Sequence, residues 1–198
     1  MSTATRLTIE QYDQMIADGV FENPLRRERI ELIEGELLEM SPIGPRHERI
    51  VDVLMRWSFK VLPQDQVWVR VQGSFAISNL ASVPEPDVVW LCDKDYTYKR
   101  PEPDDVLLVV EVADSSLSYD RGRKATLYAA AGIADYWVVD IPHSSIHVYR
   151  DPQMEGFGSY ETFRGADHIS PLKVPAAALV VESLFPRGEL DANTEETP

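Results

Sequence analysis

The chain has 198 residues, 44% of them hydrophobic, with four tryptophans, enough apolar side chain for one substantial core in a single domain. Its formal net charge of −14 argues against a body built as a broad basic surface for gripping nucleic acid. No run of about 18 apolar residues is present to span a bilayer, and the opening MSTATRLTIEQ lacks the basic-then-apolar order of a secretory signal, so a soluble, cytoplasmic protein without membrane contact is expected.

Part of the acidity is terminal. Glu189, Asp191, Glu195 and Glu196 lie in GELDANTEETP, and removing them still leaves 29 acids against 19 bases. That stretch has almost no apolar content, so residues 188–198 are expected to be a disordered tail behind a single domain over 1–187. The one cysteine, Cys92, has no partner for an internal disulfide and no Cys or His cluster nearby for zinc, and it fits a half-buried strand end.

In chain order, Thr8 and Gln11 have the spacing of a capping box and open a first helix that runs toward Gly19. RIELIEGELLEM (29–40) alternates apolar and acidic residues around Glu34-Gly35, a hairpin with a tight turn. SPIGP (41–45) breaks the chain. Ile50, Leu54, Trp57 and Val61 then form the apolar stripe of a second helix that Pro63 closes. From Val67 to Ile77 alternation predicts a strand, with an irregularity at Gly73.

Three short apolar runs follow, at Val88–Leu91, Leu107–Val112 and Tyr136–Val139, each bounded by residues that favour turns, as buried strands are. Between the second and third, Lys124, Leu127, Tyr128 and Ala131 recur at helical spacing, and Gly132 is placed to end that helix. Strand, helix, strand in this order implies a crossover and a partly parallel, covered sheet. Ser145–Arg150 alternates well and Ser159–Arg164 weakly. Val174–Phe185 mixes Pro, Ala and Val, and is expected to hold further strand and a turn of helix.

The chemistry centres on Asp87, Glu111 and Lys124. Glu111 lies near the end of a strand that is otherwise apolar on both faces, where an ionised carboxylate is costly unless it is paired or binds a cation. Asp87 stands at the edge of another apolar strand, so neighbouring strands would bring the two carboxylates together. Such oxygen ligands suit Mg²⁺ or Mn²⁺, with the backbone carbonyl of Val112 as a further ligand. Lys124 shares the apolar helix face that packs on the sheet, where an ammonium would orient or deprotonate a water and stabilise charge near phosphorus. The bland alternative is an ion pair of Lys124 with Asp120 or Glu111 and no catalysis.

ELIEGELLEMSP, PRHERIV, PEPDVVWL, LLVVEVADSS, YDRGRK and LYAAAGIADYWVVD together resemble the Uma-type "putative restriction endonuclease" family of the PD-(D/E)xK nuclease superfamily, over roughly Leu7 to Phe185. The resemblance implies an α/β (mixed α+β) fold: a restriction-endonuclease-like core with a mixed central β-sheet flanked by helices, preceded by a helix and a hairpin. It also implies that Asp87 is the PD acid and Glu111 the second acid. The lysine expected two residues later is absent, the position being Ala113, and Lys124 on the following helix takes its place. Glu34 would correspond to an additional acid near the metal, although a solvated turn residue reads equally well there. His47 would contact a phosphate or a metal-bound water. Tyr128 is one turn beyond Lys124 and suited to orient it or simply to pack, and Gln72 and Arg70 stand behind Asp87.

Three function classes fit. The first is a Mg²⁺- or Mn²⁺-dependent endonuclease hydrolysing DNA, with local basic residues Arg26, Arg27, Arg29, Arg46, Arg49, Arg56, Arg121 and Arg123 offsetting the acidic body. The second is a nuclease-fold binding or assembly module without catalysis. The third is a metal-dependent hydrolase of a small phosphorylated ligand. A homodimer is also expected, because the helices are too few to cover both faces of the sheet.

Overall fold

The computed structural model describes residues 6–22, 29–63 and 66–185; the expected tail and the arginines at 26 and 27 lie outside them. The elements run α1 (Ile9–Ala17), β1 (Ile30–Ile33), β2 (Glu36–Glu39), α2 (Pro45–Val61), β3 (Val67–Val71), β4 (Val88–Cys92), β5 (Val106–Ala113), α3 (Leu117–Tyr119), a π-helical turn (Asp120–Lys124), α4 (Ala125–Ala130), β6 (Asp135–Asp140), β7 (Ser145–Gln153), β8 (Gly156–Arg164), β9 (His168–Ile169) and β10 (Leu179–Val180). A six-stranded mixed sheet in the order β3-β4-β5-β6-β7-β8 forms the centre. Its one parallel pair is β5 with β6, joined through the α3–α4 helical run as the strand, helix, strand order requires.

Both faces of the sheet are covered, against the expectation that the helices are too few to do so, and this explains why its central strands are apolar throughout rather than alternating. Helix α2 lays Ile50, Leu54 and Trp57 against Trp90, Val110 and Trp137 on one side. On the other, α4 packs Leu127 and Tyr128 against Val89, Val109 and Val138. The Trp90 indole N–H donates to Ser58 Oγ at 2.9 Å, so the largest core side chain is anchored as well as packed.

Local chemistry sets the element ends. Thr8 and Gln11 form the capping box of α1 in both directions. The β1–β2 hairpin turns on Glu34 and Gly35 with φ of 52° and 79°, the two successive left-handed residues of a tight hairpin turn. A Cβ on Gly35 would come within 2.6 Å of Arg6 Cβ, so glycine is required for space as well as for φ. Cys92 is the half-buried last residue of β4.

Two expectations are corrected in their bounds and a third is met. The strand from Val67 stops at Val71 instead of reaching Ile77, because Gln72 turns to φ 51° and leaves the extended region. The weak pattern at Ser159–Arg164 belongs to a nine-residue strand, β8, paired with an equally long β7. Its outward residues are exposed, which hides the alternation. Val174–Phe185 contains only the two-residue β10 and one 3₁₀ turn over Val181–Leu184.

The C-terminal segment is tied to the sheet by Asp135, whose buried carboxylate accepts from Arg150 Nε at 2.9 Å, Trp137 Nε1 at 2.8 Å and the Leu172 amide at 2.8 Å. Asp135→Ala strands all three donors. Urea denaturation should show a loss of about 3 kcal/mol or more, since orphaned buried donors cost more than the bonds themselves contributed.

Candidate active site

Asp87 immediately precedes β4 and Glu111 lies two residues before the end of β5, and these strands pair antiparallel with Val88 opposite Val110. The two acids therefore meet at one end of the sheet. A pocket of about 460 Å³ opens there, lined by Asp87, Glu111, Val112, Lys124, His47 and Glu31 among others. Asp87, Glu111, Glu31, Asp120 and Lys124 are each no more than 5% exposed. Four acids surround one ammonium in a space largely closed to water.

Each principal carboxylate has one oxygen held by fixed protein donors. Asp87 Oδ2 pairs with His47 Nε2 at 3.0 Å and accepts the Val112 amide at 2.9 Å. Because an ionised carboxylate only accepts, the contacting histidine nitrogen carries the proton. Glu111 Oε1 accepts from Lys124 Nζ at 2.9 Å and from Tyr128 Oη at 2.9 Å. Tyr128 thus positions Glu111 directly rather than orienting Lys124. Asp87 Oδ1 and Glu111 Oε2 accept no hydrogen bond from the described residues.

The helix that carries Lys124 is not regular. Its π-helical turn has the Ala125 amide bonding back to the Asp120 carbonyl, a widening that recurs at functional sites. Asp120 and Lys124 both face inward from it, and Ser116 Oγ donates to Asp120 at 2.5 Å. The flanking arginines splay outward: Arg121 reaches the Tyr149 and Tyr160 hydroxyls, Arg123 the carboxylates of Glu34 and Glu36.

Glu34 is not brought to the pocket beside Lys124. It sits on the hairpin turn, its side chain 44% exposed and paired with Arg123 at 3.2 Å. The acid in that place is Glu31, 3.4 Å from Lys124 Nζ and bonded by the Glu85 amide at 3.3 Å. A signal for it was present: on a strand, Glu31 shares a face with Ile33, which is fully buried, whereas Glu34 is in the turn. Asp120, at the spacing of a pairing partner for Lys124, also lines the pocket. Gln72 touches Asp87 through its backbone amide, which donates to the Asp87 carbonyl at 3.0 Å, and does not line the pocket. Arg70 stacks over Tyr96, 5.2 Å from the ring centre.

Burial and charge act in opposition on the central pair. Burial pushes Glu111 up to about 8, against the pull of Lys124, and Asp120, Asp87 and Glu31 add to the rise. Burial disfavours the Lys124 ammonium, but Glu111, Glu31 and Asp120 outweigh it and hold the pKa well above the usual lysine range. Lys124 accordingly remains charged and is no proton acceptor. Burial raises Asp120 too, and raises Tyr128 far enough to keep it a donor.

The two unengaged oxygens, with the Val112 carbonyl, form a donor set of two carboxylates and a backbone oxygen. Among the described residues no three His, Cys, Asp or Glu side chains form a ready cage. The donors fit Mg²⁺ or Mn²⁺, which bind through one or two carboxylates and keep several waters, better than they fit zinc.

A family model described as "Uma2: Putative restriction endonuclease" matches residues 9–182. The chain belongs to the Uma2 family. No curated protein matches it. Among solved structures it is similar to "a putative nuclease belonging to DUF820" from Anabaena variabilis, with a TM-score of 0.62 at 17% identity over 90% of this chain and 97% of that one. At that identity the likeness establishes a shared fold. The Uma2 match spans every residue that converges on the pocket, from Glu31 to Tyr128.

A pH dependence follows from Glu111. Its proton is held to about 8 in the fold but released near the ordinary glutamate value of 4.5 in the unfolded chain, so between those values the folded state binds more protons. Stability therefore falls as pH rises through this window. Urea midpoints of the metal-free protein should be higher at pH 5.5 than at pH 8.5, and Glu111→Gln, which cannot titrate, should flatten that slope.

Proposed function

We propose that this Uma2-family chain is a divalent-metal-dependent endonuclease of the PD-(D/E)xK type that hydrolyses phosphodiester bonds in DNA. The observation that carries the reading is the pairing of Asp87 and Glu111, each with one oxygen fixed by protein donors and the other open, beside a buried ammonium. A purely structural ion pair needs one carboxylate for one lysine. Here the excess of acids calls for a further cation.

Asp87, Glu111 and the Val112 carbonyl would hold Mg²⁺ or Mn²⁺, which when bound polarises a phosphoryl oxygen and lowers the pKa of a coordinated water. His47 and the Val112 amide keep Asp87 in one orientation, as Tyr128 and Lys124 do for Glu111, so that little reorganisation is left for the reaction. Lys124, fixed as an ammonium, lies where it can stabilise the negative charge that grows on the phosphoryl oxygens as water attacks phosphorus and the P–O bond to the leaving oxygen breaks. The acidic body weakens duplex binding, offset locally by Arg46 and Arg49, exposed near the start of α2 beside the pocket. The chain is further proposed to act as a homodimer in the cytoplasm. No helix among the described residues is long and apolar enough to cross a membrane.

The test is a metal-dependence assay on single-stranded, double-stranded and branched DNA beside a panel of nucleotides. Mg²⁺- or Mn²⁺-dependent DNA cutting is expected, weak and falling steeply with salt as released counterions lose their advantage. Glu111→Gln and Lys124→Ala should each lower the rate by about a hundredfold or more while far-UV circular dichroism stays native. Turnover of nucleotides alone would point to the small-ligand hydrolase, and metal binding without turnover to the assembly module. Independently of turnover, Mn²⁺ should raise the thermal midpoint of the wild type, and Glu111→Gln should remove that shift.

A further inference from the structure

The six-stranded sheet has two outer strands, β3 and β8. β3 reads Val67-Trp68-Val69-Arg70-Val71. It carries no proline or lysine, and its pairing with β4 runs without a register shift, so its five-residue length and the charge of Arg70 are what restrain it as a sheet edge. The three valines pack on the α2 side of the sheet. Trp68 and Arg70 stand on the opposite face, and Trp68 is 51% exposed.

The bonding phase of β3 is fixed by its ends. The Asp93 amide bonds the Gln66 carbonyl at 3.3 Å and the Gln72 amide bonds the Asp87 carbonyl at 3.0 Å. In an antiparallel ladder bonding alternates, so Trp68 and Arg70 spend their backbone groups on β4. Those of Val69 and Val71 point outward, away from the sheet.

We infer that β3 is the homodimer interface: two copies pair antiparallel through this strand about a two-fold axis at Val69, joining their sheets into one. In that register Val69 faces Val69 of the second copy as a hydrogen-bonded pair, and Val71 faces Val67, whose carbonyl can accept from the Val71 amide while its own amide stays on the Pro63 carbonyl at 3.3 Å. Trp68 then falls opposite Arg70 of the second copy, twice by symmetry, at the non-bonded positions where side chains approach most closely. A guanidinium over an indole is an attractive contact. Tyr96 already stacks on Arg70 and the Ser74 carbonyl accepts from Arg70 Nη1 at 3.3 Å, which together hold the guanidinium in place for the indole. The sequence Val-Trp-Val-Arg-Val is thus complementary to itself under the two-fold, as an isologous contact requires.

Nucleic acid is the competing occupant of an exposed tryptophan beside an arginine. The hollow in front of Trp68 and Arg70 also contains Asp93, Lys94 and Asp95, so its charges balance and it offers no basic track for a phosphate backbone. The observations therefore favour a second copy.

Sedimentation equilibrium of the full chain tests the inference, with far-UV circular dichroism and thermal melting confirming that each variant folds. The wild type should have twice the chain mass across the micromolar range. Val69→Pro removes an N–H that points away from β4, a substitution an edge strand tolerates, and should yield a folded monomer. Arg70→Glu, which leaves the backbone untouched, should do the same if Val69→Pro does not fold. Trp68→Ala should weaken the dimer about tenfold, because the two-fold removes two contacts at once. A wild-type monomer throughout overturns the inference. So does a monomer whose tryptophan fluorescence responds to a single-stranded oligonucleotide, which would assign the face to nucleic acid. A dimer that survives both Val69→Pro and Arg70→Glu places the contact elsewhere, at β8 for instance, and overturns it as well.

Discussion

The ammonium of Lys124, 2.9 Å from Glu111 and 3.4 Å from Glu31, is the one buried cation among the described residues of a pocket that also buries Asp87 and Asp120. Ionised acids at this density repel one another and lose hydration. They persist because one of them, Glu111, tends to keep its proton, and because fixed donors spread the charge of the others. The surrounding architecture serves this arrangement. β4 and β5 bring the two main acids to one sheet end, the β1–β2 hairpin supplies Glu31, and the widened helical turn points Lys124 and Asp120 inward together.

The same accounting explains why the site differs from an ordinary structural ion pair. In a core built for stability alone, a lysine facing one glutamate gains little over a well-packed apolar pair. Here Tyr128, His47 and the Val112 amide hold the two principal acids, and each of those acids still keeps an oxygen without a donor among the described residues. Such pre-organisation costs folding energy and is retained where a charged ligand repays it.

Charge at the scale of the whole chain has a different logic. The net charge of −14 keeps copies soluble and apart at long range, so any association must rely on short-range contacts. An open strand edge with an alternating aromatic and cationic side offers these without a large apolar patch. Arg121 and Arg123 flank Lys124 in sequence, yet they serve the fold: Arg121 ties the helical turn to Tyr149 and Tyr160 on β7 and β8, and Arg123 ties it to the hairpin.

Local signals in the sequence determined much of this protein. The capping box at Thr8, the turn at Glu34-Gly35, the buried runs of β4, β5 and β6, and the isolated acid Glu111 beside a helix with an inward lysine all depend on neighbours within a few residues, where periodicity and turn chemistry speak directly. The choice between Glu31 and Glu34 was only half legible. Strand alternation puts Glu31 in phase with buried Ile33, but nothing in the hairpin itself says that this face meets Lys124, which lies more than 90 positions away in the chain. The π-helical turn was invisible, because one added residue per turn leaves the apolar pattern of Leu127, Tyr128 and Ala131 unchanged. The early end of β3 at Gln72 and the full length of β8 were likewise settled by tertiary structure: a backbone reversal held from across the sheet in the first case, and an edge position with exposed outward residues in the second. Which acids share one cation is a property of how four separate elements converge, and only the folded chain decides it.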